Sequence, residues 1–265
     1  MAGTAFELAV LIAGVGCAVD ARTEARWRAL LAGAFLYAVA FEWWVAADAS
    51  GGFFYRRFGV HGPGGAPLWV PVGWACLLYA AARTAERWDA RPRWLVVAAL
   101  VGAVGWQLDP VAVARGWWGW AEPGRPLVLG VPTSTHLAWL IVALAYAPFI
   151  PARDAPGIRA HLPLLGAPLA LALVAVLAWT LDALGAAVGH VTTLAVAQVA
   201  VFGGAAVALI RAGVPAERPR PLVLVVPAIT ALGGVALALG QPGALAAAAA
   251  SGAATLAAYG AFTRR

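Results

Sequence analysis

Apolar runs of about 20 residues recur along this 265-residue chain, and they constrain its fold more than any single motif does. A helix that crosses the hydrocarbon core of a bilayer needs about 20 predominantly apolar residues. Only 11% of the residues are charged, against about 25% in soluble domains. The sequence therefore predicts an all-α, polytopic transmembrane bundle of eight or nine spans, forming a single membrane domain over residues 1–265. The nine candidate spans are roughly 3–20, 29–49, 67–85, 93–113, 131–150, 162–186, 189–211, 221–240 and 243–262.

The arginines predict how the bundle is oriented. All 18 basic residues are arginine, and 14 of them lie in alternate connections or at the C-terminus. Cytoplasmic loops carry the excess of basic residues in membrane proteins. We expect a multi-pass protein of the plasma or inner membrane, with the C-terminus in the cytoplasm and, given nine spans, the N-terminus outside. Arginines in short loops between spans set topology, so no nucleic-acid partner is expected. The sequence does not give the oligomeric state.

Tryptophan is distributed unevenly along the chain. Twelve of the 13 tryptophans precede residue 140, whereas the later part is mostly Ala, Leu and Val. We predict a functional half over about residues 1–150 and a scaffold half over about residues 160–265.

Asp109 lies near the end of the fourth predicted span. An acid at the centre of a membrane helix costs about 2.5–3.5 kcal/mol, so such acids usually mark function. Pro110 lacks an N–H and restricts the residue before it, which predicts a bend that aims the carboxyl into a cavity. We interpret Asp109 as a general acid. The alternative is a helix-end carboxylate that pairs with Arg115 or is wetted at the interface.

Glu42 is a second acid within a predicted span, in the sequence Phe-Glu-Trp-Trp. Two membrane carboxyls at one level could share a proton, hold a water molecule or stabilise a cation. The alternative for Glu42 is a structural hydrogen bond to a neighbouring helix.

Several tryptophans are candidates for an apolar pocket. Their ring faces can stabilise a carbocation by cation–π attraction. The four that lie well inside spans are Trp43, Trp74, Trp106 and Trp139. Three others are predicted to belong to an interfacial aromatic belt: Trp117, Trp118 and Trp120.

The segment that opens the fifth span is rich in small polar residues. Ser134 or Thr135 suits the N-cap of this helix. His136 could orient a water molecule or partner a carboxylate, or it could be a packing residue. The chain has no His-rich box, no nucleotide-binding loop and no paired Asp-rich motif. These absences favour acid chemistry on an apolar substrate without a metal or other cofactor.

Two segments together resemble the carotenoid biosynthesis membrane-protein family. Residues 108–120 contain Leu-Asp-Pro followed by Trp-Trp-Gly-Trp, and residues 129–139 contain Gly-Val-Pro-Thr-Ser-Thr-His. The resemblance covers roughly residues 30–145 and includes Tyr55 in a Gly-rich loop. The sequence departs from the family pattern at Thr135, where the family has Asn, and at Ala138, where it has Gly.

The resemblance implies an enzyme that acts on a lipophilic isoprenoid or carotenoid, because the family includes carotenoid 1,2-hydratases. Asp109 or Glu42 would then protonate a terminal C=C, and water activated by the other carboxylate or by His136 would add to the cation. Three further residues would contribute to substrate binding: Tyr55, Ser134 and Thr135. Three alternatives remain open, namely a membrane-integral terpene or carotene cyclase, a small-solute or proton-coupled transporter, and a structural membrane protein.

Overall fold

The protein is a bundle of seven α-helices in a computed structural model that describes residues 2–47, 53–56, 58–62, 65–89, 91–121, 127–153, 155 and 157–212. The helices are α1 (Ala2–Ala21), α2 (Ala25–Ala47), α3 (Trp69–Arg87), α4 (Arg93–Ala114), α5 (Thr133–Tyr146), α6 (Leu162–Val188) and α7 (His190–Ala212). Their bounds agree with the first seven predicted spans to within four residues, which confirms the all-α prediction. The last two predicted spans, 221–240 and 243–262, lie outside the described residues.

Four of the described helices are long and apolar enough to cross a membrane: α2, α4, α6 with the short turn before it, and α7. α5 is apolar but shorter. α3 is not among the four, because its second half carries charged residues that pair inside the bundle. The predicted count of eight or nine spans is therefore not confirmed. The four apolar helices do support the prediction of a membrane protein.

Ion pairs gather where α1 ends, α2 begins and α3 ends. Arg26 lies 2.5 Å from Glu86 and 3.0 Å from Glu24, and Arg83 lies 3.2 Å from Asp20. Buried charges need partners of opposite sign, and each acid here has an arginine. We call this end of the bundle the arginine end.

α2, α5 and α6 approach closely at the arginine end. Gly33 on α2 has no room for a Cβ atom, which would overlap the backbone of Pro163 and the hydroxyl of Tyr146. The single O–H of Tyr146 is shared between the carbonyl oxygens of Pro163 and Leu30, which lie 3.3 and 3.4 Å away. Its ring stacks on Tyr37, with centroids 5.0 Å apart. These contacts fix three helices against one another.

A small β-structure covers the end of the bundle opposite to the arginine end. We call this the capped end. Strand β1 (Phe53–Tyr55), which comes after α2, pairs antiparallel with β2 (Trp118–Trp120), which follows α4. Trp117 and Trp118 are buried within this cap and Trp120 is half-buried. The prediction of an interfacial belt is wrong for Trp117 and Trp118, because both rings are buried inside the protein, Trp117 against Phe6 and Trp118 against Tyr55.

A second strand pair leads into α5. Strand β3 (Leu127–Val128) pairs with β4 (Val131–Pro132), and α5 begins immediately afterwards at Thr133. Pro132 occupies the N-cap position, and no side chain caps this helix. The predicted N-cap at Ser134 or Thr135 is therefore wrong, since both residues lie within the first helical turn.

We predict that Gly33→Ala destabilises the protein by about 1–3 kcal/mol, because an added methyl group must displace packed backbone. Gly203→Ala on α7 is the matched control, since a Cβ atom there meets nothing within 4 Å. The control is expected to be neutral or stabilising by up to about 1 kcal/mol. Equilibrium unfolding in detergent micelles measures both variants. Equal stability of the two would contradict the close approach of α2 and α6.

Candidate functional site

A cavity of about 370 Å³ lies at the capped end of the bundle. This volume is within the range of small-molecule binding sites. Its wall is mainly apolar and is formed by the helices together with β1 and β2. Seven of the ten predicted site residues line it: Glu42, Tyr55, Trp74, Asp109, Ser134, Thr135 and Trp139.

Glu42 is held from two sides. Its carboxyl is buried, with Oε1 accepting a hydrogen bond from Trp74 Nε1 at 2.8 Å and Oε2 accepting one from the Tyr55 hydroxyl at 2.5 Å. Burial, together with the adjacent Glu42, raises the pKa of Tyr55 well above its ordinary value. The phenol therefore stays protonated at physiological pH and remains a donor to Glu42.

Asp109 is also buried, being 2% exposed. Its Oδ2 accepts a hydrogen bond from Trp139 Nε1 at 2.6 Å, and Trp118 of the cap lies beside the same carboxyl. Pro110 does not end α4, which continues to Ala114. The Asp109 carboxyl thus projects from within a helix into the cavity.

Gly105 explains how Trp139 reaches Asp109. A Cβ atom at this position of α4 would collide with the indole of Trp139. Since glycine leaves that space empty, the indole packs directly against α4, one turn below the carboxyl. The position of the hydrogen-bond donor therefore depends on a residue without a side chain.

The two indole donors are in contact with each other. The ring centroids of Trp74 and Trp139 are 4.3 Å apart, with the planes inclined by 35°. One indole donates to Glu42 and the other to Asp109, so the two carboxyls are connected through two tryptophans in contact. The carboxyls are also close enough to interact electrostatically. This arrangement places two acids and two aromatic rings on one apolar cavity.

Three predicted site residues do not line the cavity. His136 is buried against Trp106, with ring centroids 4.0 Å apart, and its Nε2 lies 3.2 Å from the carbonyl oxygen of Val128. Trp106 donates to Gln198 Oε1 at 2.8 Å. These residues form a separate cluster between α4, α5 and α7. Trp43 is 56% exposed on α2.

Trp118 and Trp120 line the cavity from the cap, although the sequence interpretation assigned them to the membrane interface. A signal was present in the sequence: residues two apart on a strand share a face, and Gly119 separates the two tryptophans. A Cβ atom at Gly119 would lie 3.0 Å from the ring of Phe54 on the paired strand. The Trp-Gly-Trp sequence therefore marks a strand.

Asp182 and His190 line the cavity from the end of α6 and the start of α7. Neither residue is among the ten predicted site residues. The cavity therefore draws on both halves of the chain. Within the described ranges, no group of three or more His, Cys, Asp or Glu side chains is placed to hold a metal ion.

We predict that Trp139→Phe lowers the free energy of unfolding by about 1–3 kcal/mol, because the Asp109 carboxyl loses its indole donor while remaining buried. Trp179→Phe is the control, since Trp179 is 74% exposed and does not line the cavity. Its effect should stay within about 0.5 kcal/mol. Thermal unfolding followed by circular dichroism compares the two. A loss of the same size in the control would contradict a specific role for the Trp139 donor.

Comparison with known proteins gives one result. Neither the curated proteins nor the solved structures contain a match to this chain. The family described as carotenoid biosynthesis protein matches residues 3–205, which include Glu42, Asp109 and Asp182 and reach into α7. The match confirms the family resemblance but does not distinguish hydratases from other members. The chain belongs to the carotenoid biosynthesis protein family.

Proposed function

We propose that this protein is an integral-membrane enzyme of carotenoid or isoprenoid metabolism that hydrates a terminal C=C bond without a cofactor. Family membership and the four apolar helices support a lipophilic substrate in a membrane. The observation that carries the proposal is the pair of buried carboxyls, Glu42 and Asp109, on one apolar cavity and joined through two indoles in contact.

The hydrogen bonds suggest different roles for the two acids. Glu42 accepts a separate hydrogen bond at each of its two oxygens, an arrangement that stabilises a carboxylate. Asp109 is held by indoles alone, with Trp139 donating to Oδ2 and Trp118 beside the same carboxyl, whereas Glu42 also has the phenol of Tyr55, a more acidic donor than an indole. On this difference we assign Asp109 as the proton donor and Glu42 as the group that stabilises positive charge and then accepts a proton.

The proposed reaction adds one water molecule to the substrate. Asp109 transfers its proton to the less substituted carbon of the terminal C=C, and a tertiary cation forms on the other carbon. The faces of Trp74 and Trp139 stabilise this cation. A water oxygen then bonds to the cationic carbon and releases a proton to Glu42. Return of that proton to Asp109 through water restores the starting state.

Ser134 and Thr135 are proposed to hold the attacking water. Both line the cavity from the first turn of α5, where backbone N–H groups and the helix dipole favour an oxygen ligand. Thr135 replaces the Asn of the family pattern, and its hydroxyl can still donate and accept a hydrogen bond. His136 points into its own cluster, so we place water activation on Glu42 instead.

A cyclase is the second candidate, and the mainly apolar, aromatic wall favours it. In that reaction the same cation is attacked by another C=C of the substrate, and Glu42 then removes a proton. The product would be an isomer with unchanged mass. Hydration adds the mass of one water molecule.

The span count and orientation are also proposals. We propose eight or nine spans in the cytoplasmic membrane, with the arginine end facing the cytoplasm. The ion pairs of Arg26 and Arg83 at that end agree with the positive-inside rule. The cavity would then lie in the outer half of the membrane.

We predict that Asp109→Asn lowers formation of the hydrated product at least about 100-fold, because an amide cannot donate a proton to carbon. The control is Asp89→Asn, since Asp89 is exposed in the α3–α4 connection at the arginine end. Both variants and the wild type are expressed in lycopene-accumulating cells, and mass spectrometry measures the pigments. Western blotting checks that the protein levels match.

A hydrated product from the wild type and the control, with none from Asp109→Asn, supports the proposal. An isomer of unchanged mass would instead support the cyclase. Normal hydration by the Asp109→Asn variant would remove Asp109 as the proton donor.

A further inference from the structure

We propose that Asp182 and His190 form a polar mouth through which water enters the cavity. The inference rests on the proposed function for the fate of that water, but the mouth itself can be tested without any turnover. It gives a role to two residues of the second half of the chain that line the cavity and take no part in the proposed reaction.

A tight turn between α6 and α7 brings the two side chains together. α6 ends at Val188 and α7 begins at His190, so Gly189 alone connects them, with a φ of 96° that favours glycine. The chain reverses there, and the His190 ring occupies the space of the Cβ atom that Gly185 lacks. Asp182 precedes Gly185 by three residues, and Cβ positions at this spacing on a helix are about 5–6 Å apart. Asp182 and His190 therefore lie on the same face of the helix pair.

Exposure distinguishes Asp182 from the other two acids on the cavity. Glu42 and Asp109 are 4% and 2% exposed, whereas Asp182 belongs to the exposed residues and His190 is half-buried. A carboxyl that faces lipid is costly. An exposed acid that also lines the cavity therefore indicates that the cavity reaches water at this point.

The place of Asp182 along α6 agrees with contact to water. α6 has 27 residues and is therefore about 40 Å long, whereas the hydrocarbon core of a bilayer is about 30 Å thick. The helix starts at the arginine end, where Pro163 meets Gly33, so its last turns lie at the capped end and extend to the polar interface. Asp182 lies six residues before Val188, which is about 9 Å from the end of the helix.

Ser134 and Thr135 continue the polar edge inside the cavity. They line it from the first turn of α5, which packs against both α6 and α7. A buried water molecule needs about 2–4 polar partners, and hydroxyl, carboxyl and imidazole groups together supply donors and acceptors. Aromatic rings from α2, α3 and the cap line other parts of the wall: Phe41, Trp74, Phe53, Trp118 and Trp120. Water and hydrocarbon thus meet different parts of the same cavity.

Exchange of the Trp139 indole N–H with heavy water measures water in the cavity, because this N–H is bonded to Asp109 there. The Trp106 indole is the internal reference, since it is hydrogen-bonded in the separate cluster between α4, α5 and α7. NMR of protein labelled at its tryptophan indoles follows both groups in lipid nanodiscs. We expect Asp182→Leu and His190→Phe to slow exchange at Trp139 at least about tenfold and to leave exchange at Trp106 within about twofold.

Asp182→Asn and His190→Gln are the matched controls, because an amide keeps hydrogen-bonding atoms that can hold water. Exchange at Trp139 in both controls should stay within about twofold of the wild type. The inference is overturned if the apolar variants exchange at the wild-type rate, if Trp106 slows as much as Trp139, or if the amide variants slow exchange as much as the apolar ones.

A second readout follows the fate of the cation. In heavy water, Asp109 gives a deuteron to the terminal carbon of lycopene. The cation then either bonds to a water oxygen, which releases a deuteron to Glu42, or loses a proton from a neighbouring carbon to Glu42 and becomes an alkene that carries deuterium. Less water in the cavity favours the alkene. We expect Asp182→Leu to raise the ratio of deuterated alkene to hydrated product at least about tenfold, and Asp182→Asn to keep the wild-type ratio.

The two readouts separate the mouth from the chemistry. Slower exchange at Trp139 in the apolar variants, with no hydrated product from the wild type, would support the mouth and refute only the hydration. An unchanged product ratio, when the wild type and Asp182→Leu both hydrate lycopene, would overturn the mouth as the supply of water.

Discussion

The contact between Trp74 and Trp139 is the interaction on which the site depends. Each indole directs its N–H to a different carboxyl, and the contact between the two rings links the two hydrogen bonds. α3 supplies one ring and α5 the other, so the site exists only when both helices pack against α2 and α4. Gly105 permits the α5 ring to lie against α4, and the β-cap closes the cavity above it. Local features from five elements thus converge on one pair of rings.

The acids inside the bundle have different kinds of partner at its two ends. At the arginine end, Asp20 and Glu86 are paired with Arg83 and Arg26. At the capped end, the hydrogen bonds to Glu42 and Asp109 come from neutral indole and phenol groups. Protonation of a carboxyl paired with arginine leaves a buried charge uncompensated, which is costly. A carboxyl among neutral donors can take up a proton without leaving a cation unpaired, whereas its ionised form has only hydrogen bonds to offset burial. This difference is why the proposed proton transfer is placed at the capped end.

Hydropathy predicted the seven described helices well, because a membrane span is a local property of about 20 residues. The cost of charge in lipid also identified Glu42 and Asp109 without structural information. Long-range packing was not predictable in this way. The alternation in Trp-Gly-Trp indicates a strand but not its partner β1, and the sequence does not indicate that His136 turns towards Trp106. The contribution of Asp182 and His190 likewise depends on how α6 and α7 close against the first five helices.

The central claim is that Asp109 is a neutral acid inside an apolar cavity that lipophilic molecules can enter. Labelling with carbodiimides tests it directly, because these reagents modify protonated carboxyls. The account predicts that dicyclohexylcarbodiimide modifies Asp109 in the folded, membrane-embedded protein, that bound lycopene reduces this labelling, and that a water-soluble carbodiimide has little effect. Peptide mass spectrometry locates the modified residue. Equal labelling of Asp109 by the water-soluble reagent, or no labelling by the apolar one, would contradict the account.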